Sequence, residues 1–174
     1  MFGQMKQETF QLAGDQVLIE TCFQPIIHAY KEIQTRGEDF SAGAFQELTS
    51  GQQALFAFWV YHTHAIKSQV DFYWWSAYFL AQPAKWTGIQ SALRFFNDSI
   101  TLPLVERMES LLRQRNHPRN ITNFDISASD LDHDPELLSE ISPLYTDLLE
   151  ASDLTLRSIA AYIREHPSEF LALH

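Results

Sequence analysis

The chain has 174 residues, 45% of them apolar and 20% charged, with one cysteine and a formal net charge of −10. Length and composition fit one globular domain able to bury about 70% of its unfolded surface, and they exclude a disordered or low-complexity chain. The single Cys22 excludes an internal disulfide and a cysteine-based metal cluster, and a reducing, cytoplasmic setting is expected.

The opening residues, MFGQMKQETFQLAGDQ, lack the apolar core of a signal peptide, and the longest apolar run, Ala54 to Tyr61, falls far short of the roughly 20 residues that span a bilayer. A soluble protein with no membrane association is expected. From Thr9 to Arg36, Leu12, Val17, Ile19, Phe23, Ile26, Ile27 and Tyr30 recur at three- and four-residue steps, the period of an amphipathic helix. Pro25 should kink or split it. Residues 37–51 read as a connector whose Phe40, Phe45 and Leu48 plug into a core.

Thr49 or Ser50 can cap the next helix, with Gln52 or Gln53 in its first turn. The stretch Ala54–Leu80 that follows holds ten of the 23 aromatic residues. Each large ring buries on the order of 150–250 Å², so this segment should form a hidden helical hairpin that the remaining chain wraps. Its first helix runs to about Ser68 and its second from Asp71 to Ala81, stopped by Pro83. A fourth helix is expected over 84–96, with Trp86, Ile89, Leu93 and Phe96 on one stripe. A fifth starts near Pro103.

Residues 116–133 read as an irregular acidic loop, in which only Asn120 to Ser127 could be extended. Pro135 opens a short helix, Ser142-Pro143 starts another, and a long last helix reaches His166 before Pro167. The reading is an all-α fold of six to eight helices. It is a single domain over residues 1–174, with its core at about 9–115 and 134–170.

Charge is far less evenly spread than apolar character. Residues 120–156 carry Asp125, Asp130, Asp132, Asp134, Glu136, Glu140, Asp147, Glu150 and Asp153 with no lysine or arginine, so this stretch holds nine of the ten excess negative charges. Such a surface repels nucleic acid and anionic membrane and attracts basic partners or cations. On one continuous helix Glu136, Glu140, Asp147 and Glu150 fall within about 80° of each other and extend along about 21 Å. An ordinary solvated face is the bland alternative.

Signatures of chemistry are sparse. Asp130-Leu-Asp132-His133-Asp134 resembles the start of a calcium loop, but Pro135 stands where the EF-hand needs glycine and Ile141 where it needs glutamate. His62 and His64, two apart on a helix, point to nearly opposite sides, and no His-x-x-x-His pair exists. A metal site, with His28, His62 and His64 as its candidates, would have to gather ligands from several helices. Gly-x-Ser-x-Gly, Walker and Rossmann patterns are absent. Cys22 beside Ile19 and Phe23 reads as an inert buried thiol, and Trp74-Trp75 as core rather than a base-stacking platform.

The run Leu48-Thr-Ser-Gly51-Gln-Gln-Ala-Leu55-Phe-Ala-Phe-Trp59-Val, and the ending Ala161-Tyr-Ile-Arg-Glu-His-Pro167-Ser-Glu-Phe170, resemble a bacterial domain-of-unknown-function family that includes the DMP-type DNA-mimic proteins. The likeness loosely covers residues 45–170. Where that family carries Asn-Gly-Gly-Phe, this chain has Ser68-Gln-Val-Asp-Phe72 without a glycine. The resemblance implies an all-helical fold, often dimeric, with no catalytic residues or cofactor; its best-known member presents carboxylates in imitation of the DNA backbone.

The resulting expectation is a non-enzymatic, cytoplasmic protein-binding module. Its nine carboxylates from Asp125 to Asp153 would meet a basic DNA-binding protein, without binding nucleic acid directly. A homodimer, as the resemblance implies, is compatible with this reading. The alternative is a helical-bundle metal-dependent enzyme or small-ligand binder using His28, His62 and His64. A scaffold whose acidity serves only solubility is a third reading.

Overall fold

The computed structural model describes residues 1–174 and is all-α, with 72% of residues helical. In chain order it contains β1 (Gly3–Met5), α1 (Gln7–Leu12), α2 (Asp15–Thr35), α3 (Ser50–Ala65), α4 (Gln69–Leu80), α5 (Pro83–Phe95), α6 (Thr101–Gln114), α7 (Asp130–His133), α8 (Pro135–Glu165) and β2 (Leu171–Leu173). Three 3-10 turns, at Phe40–Ala42, Ile121–Asn123 and Pro167–Glu169, complete it. No helix is long and apolar enough to cross a membrane. The chain divides into two compact units, Met1–Phe56 with Leu156–His174, and Ala57–Thr155.

In the first unit the expected helix over 9–36 is two helices, parted at Ala13-Gly14 and not at Pro25, which lies inside α2. Pro25 has no N–H, so the carbonyl of Thr21, four residues earlier, loses its intrahelical partner. Strand β1 packs against α2 at this level: a Cβ added to Gly3 would sit 2.5 Å from the Thr21 oxygen. Glycine is what allows the strand so close. β1 pairs in parallel with β2, Gly3 opposite Leu171 and Met5 opposite Leu173. Three-residue strands carry too little alternation to be read from sequence, and this small sheet was not anticipated.

Thr49 and Gln52 form the start of α3 reciprocally. The Thr49 hydroxyl accepts from the Gln52 N–H at 3.1 Å, and the Gln52 side-chain oxygen accepts from the Thr49 N–H at 3.1 Å. That is a capping box, closing two otherwise orphaned donors. Phe40, Leu48 and Ile26 form an apolar cluster with Tyr30, Phe45 and Phe56 against it, as the connector's aromatic residues suggested.

The second unit holds the rest of the aromatic hairpin. Tyr61 of α3 and Ser76 of α4 share a buried hydrogen bond of 2.8 Å, and Tyr61 meets Phe79 and Trp86 edge to face. Ser68 caps α4 by accepting from the Asp71 N–H at 3.0 Å. Helices α4, α5 and α6 pack on one another. Within residues 120–127 lies only the 3-10 turn Ile121–Asn123, and no strand. The two helices expected to meet at Pro143 are one: α8 is continuous for 31 residues. Pro143 is exposed, so water can take the carbonyl its ring leaves unpaired.

Candidate protein-binding surface

Helices α6 and α8 run antiparallel in the second unit, joined at three levels. As the α6 residue number rises, the α8 number falls. At one end Thr101 and Thr155 place their hydroxyls 2.6 Å apart, and Thr155 also donates to Asp98. Midway, Arg107 Nη1 lies 2.9 Å from Asp147 Oδ2. Past the C-terminus of α6, Arg115 spreads its guanidinium over Asp134 (2.9 Å), Glu136 (3.4 Å) and Glu140 (2.6 Å).

Local structure explains each anchor. Asp98 accepts from the N–H groups of Ile100 and Thr101 at 2.8 and 2.7 Å, which caps α6 and starts it two residues before Pro103. Asp134 accepts from the Leu137 N–H at 2.8 Å and so caps α8. That bond, and then Arg115, hold the Asp134 carboxyl below its ordinary range against the opposing effect of burial. Burial works against the charge of Arg115, but the three carboxylates outweigh it and strengthen its protonation. Glu109, on the same helix, is pushed up by burial yet drawn below its usual value by Trp86, Arg113 and Gln90, which donate to it.

Between the two helices lies a groove in two adjoining parts, of about 570 and 450 Å³. Pro103 and Arg107 line both. Leu111 and Leu144 furnish apolar floor in the first, and Leu104, Ala151, Ile100 and Leu154 in the second. Ile100 and Leu154, at the rim of the second part, remain 46% and 45% exposed.

Of the nine acidic residues singled out from sequence, Glu140, Asp147 and Glu150 line this groove. Asp134 and Glu136 join Glu140 around Arg115. Asp130 turns elsewhere: it accepts from the Tyr73 hydroxyl at 3.2 Å and from the Ser127 N–H at 3.0 Å. Asp125, Asp132 and Asp153 are exposed and line neither part of the groove. The groove itself, and the arginines that meet the acidic block, were not among the residues singled out. Arg107 and Arg115 lie outside residues 120–156, so a count along the chain could not pair them with it.

The histidines of the alternative reading stand in different surroundings. His28 is exposed on α2, in the first unit. His62 is 3% exposed, stacked on Phe58 and 3.3 Å from the Ser152 hydroxyl, and burial pushes its pKa down to about 4. His64 stacks on Trp75 at 3.9 Å, and burial, with Lys67 adding to it, lowers its pKa. No group of three or more His, Cys, Asp or Glu side chains is arranged to hold a metal ion. A fourth histidine, His117, sits 2.9 Å from the Tyr73 hydroxyl with its Nδ1 buried and unpartnered.

Comparison with family models, with curated proteins and with solved structures finds no match to this chain. Function is therefore read from the chemistry of these side chains.

Proposed function

We propose that this protein is a non-enzymatic binding module that engages a basic surface of another protein through the acidic side of α6 and α8. The observation that carries the proposal is the alignment of Glu140, Asp147 and Glu150 along one apolar-floored groove. Aligned carboxylates on a continuous helix present fixed negative charge to an approaching cation, and an apolar floor supplies affinity that charge alone does not.

A DNA mimic that occupies a DNA-binding protein is the sharper form of this proposal. It asks for carboxylates free to take the places of phosphates. Glu150 forms no ion pair within the chain, whereas Glu140 and Asp147 already face arginines. Support is thus stronger for protein binding in general than for imitation of a phosphate backbone. The histidine-based reading has less behind it, since His62 and His64 are each engaged by their own neighbours.

The test is capture of partners from cell extract, followed by affinity measured across a salt series. Binding that weakens steeply with salt, and weakens again when Glu140, Asp147 and Glu150 become Gln or Asn, is the expected result. A salt-independent affinity untouched by those changes overturns the proposal.

A further inference from the structure

Resting on that reading, we infer that the α6–α8 groove takes a single basic amphipathic helix of a partner protein, seated lengthwise between the two helices.

Shape comes first. The residues offered from α8, namely Glu140, Leu144, Asp147, Ala151 and Leu154, step by four and three, the spacing of one helical stripe. A groove between two antiparallel helices, apolar along its floor, is the seat that an amphipathic helix fills with residues at i, i+3, i+4 and i+7. The stripe from Glu140 to Leu154 spans about 21 Å, the length of about 14 helical residues. Ile100 and Leu154 at one end give the incoming apolar face large side chains to cover.

Charge selects the occupant. Glu106, Asp134, Glu136, Glu140, Asp147 and Glu150 lie in the groove or in its ion pairs, against Arg94, Arg107 and Arg115, an excess of three negative charges. A second copy of this acidic chain would add to that repulsion, whereas a helix flanked by lysine and arginine relieves it. The Arg107–Asp147 pair crosses the groove where its two parts meet. Both side chains are about half exposed, and such pairs contribute little. An arriving guanidinium can therefore replace Arg107 on Asp147 and open the groove end to end.

The probe is a synthetic peptide of about 18 residues, with leucines at helical spacing flanked by lysine and arginine. A second peptide has the same composition scrambled to abolish the stripe. Binding to the full-length protein is followed by fluorescence anisotropy. The amphipathic peptide is expected to bind one to one and the scrambled one about tenfold more weakly or worse. Ile100→Ser with Leu154→Ser, and separately Glu150→Lys, should each weaken binding about tenfold. Asp132→Lys makes the same change in net charge outside the groove and should alter binding about twofold or less. Chemical-shift mapping on the unaltered protein needs no variant, and should confine the perturbed residues to 100–114 and 140–154.

Equal binding of both peptides, or equal loss in Glu150→Lys and Asp132→Lys, would overturn the groove while leaving the acidic module standing. If neither peptide binds at low salt, both readings fall. A dimer in sedimentation that dissociates in the Ile100→Ser, Leu154→Ser protein would show that a second copy covers the groove, and would also overturn the inference.

Discussion

Thr101 and Thr155, 54 residues apart in the chain, place their hydroxyls 2.6 Å from one another with only 2% and 1% of each residue exposed. Thr155 donates onward to the buried Asp98 carboxylate, whose other oxygen caps α6. Three polar groups that would each be costly alone thereby satisfy one another. Thr155→Val keeps the shape and deletes the donor, leaving a buried carboxylate oxygen short of a partner. We expect a loss of about 1–3 kcal/mol in urea denaturation, with Thr155→Ser retaining most of the stability.

The first turn of α3 has no room for a side chain at Gly51. A Cβ there would lie 2.4 Å from the Phe170 ring and 2.6 Å from the Glu169 carboxylate, which itself accepts from the Gly51 N–H at 3.1 Å. Gly51→Ala should displace the C-terminal turn and cost about 1–3 kcal/mol, read as a lower thermal midpoint. Gly14→Ala, at the N-cap of α2 where nothing lies within 4 Å, has no such clash and should cost less, about 1 kcal/mol or below.

Acid should weaken the fold through His62. Its folded pKa lies at about 4 against an ordinary 6.5, so between those values the unfolded chain takes up a proton that the folded one refuses. Stability is unaffected above pH 6.5, falls as pH drops through the window, and levels off below about 4 with about 3 kcal/mol lost from this group. The lowered values of His64 and His117 act in the same direction. His62→Gln should flatten the dependence of the urea midpoint on pH between 6.5 and 4; an unchanged slope would remove His62 from the account.

Arg115 is the counter-charge for Asp134, Glu136 and Glu140 together. Arg115→Gln leaves those carboxylates without a basic side chain at the start of α8. The urea midpoint should fall at low ionic strength, and the deficit should shrink in 1 M salt, where the Debye length is about 3 Å. A deficit independent of salt would mean that the side chain acts through packing.

Cys22 should be silent in the native protein. It is fully buried, and burial pushes its thiol up to about 12, so the reactive thiolate is scarce at neutral pH. Alkylation monitored by mass spectrometry should proceed only in denaturant. Rapid labelling of the folded chain would show that α2 opens locally.

Much of the fold was legible because it is written in local periodicity. Ring density over 54–80 marked the hairpin, Thr49 and Gln52 marked the start of α3, and apolar stripes marked α5 and α6 to within two or three residues. Pro25 and Pro143 misled because a proline forbids one hydrogen bond, not a helix. At Pro143 the freed carbonyl is tolerated because Ser139 and Pro143 both stand exposed to water.

What the chain alone determines about this protein is its helical character, its buried aromatic hairpin and the concentration of negative charge in residues 120–156. Those follow from side-chain type and spacing, which need no partner to be expressed. Only tertiary structure decides that Arg107 and Arg115 meet that charge, that Asp130 turns to Tyr73, and that Glu140, Asp147 and Glu150 share a groove with Ile100 and Leu154. The physical reason is that Coulomb attraction and apolar contact act across space, and α6 and α8 come side by side only when the second unit folds.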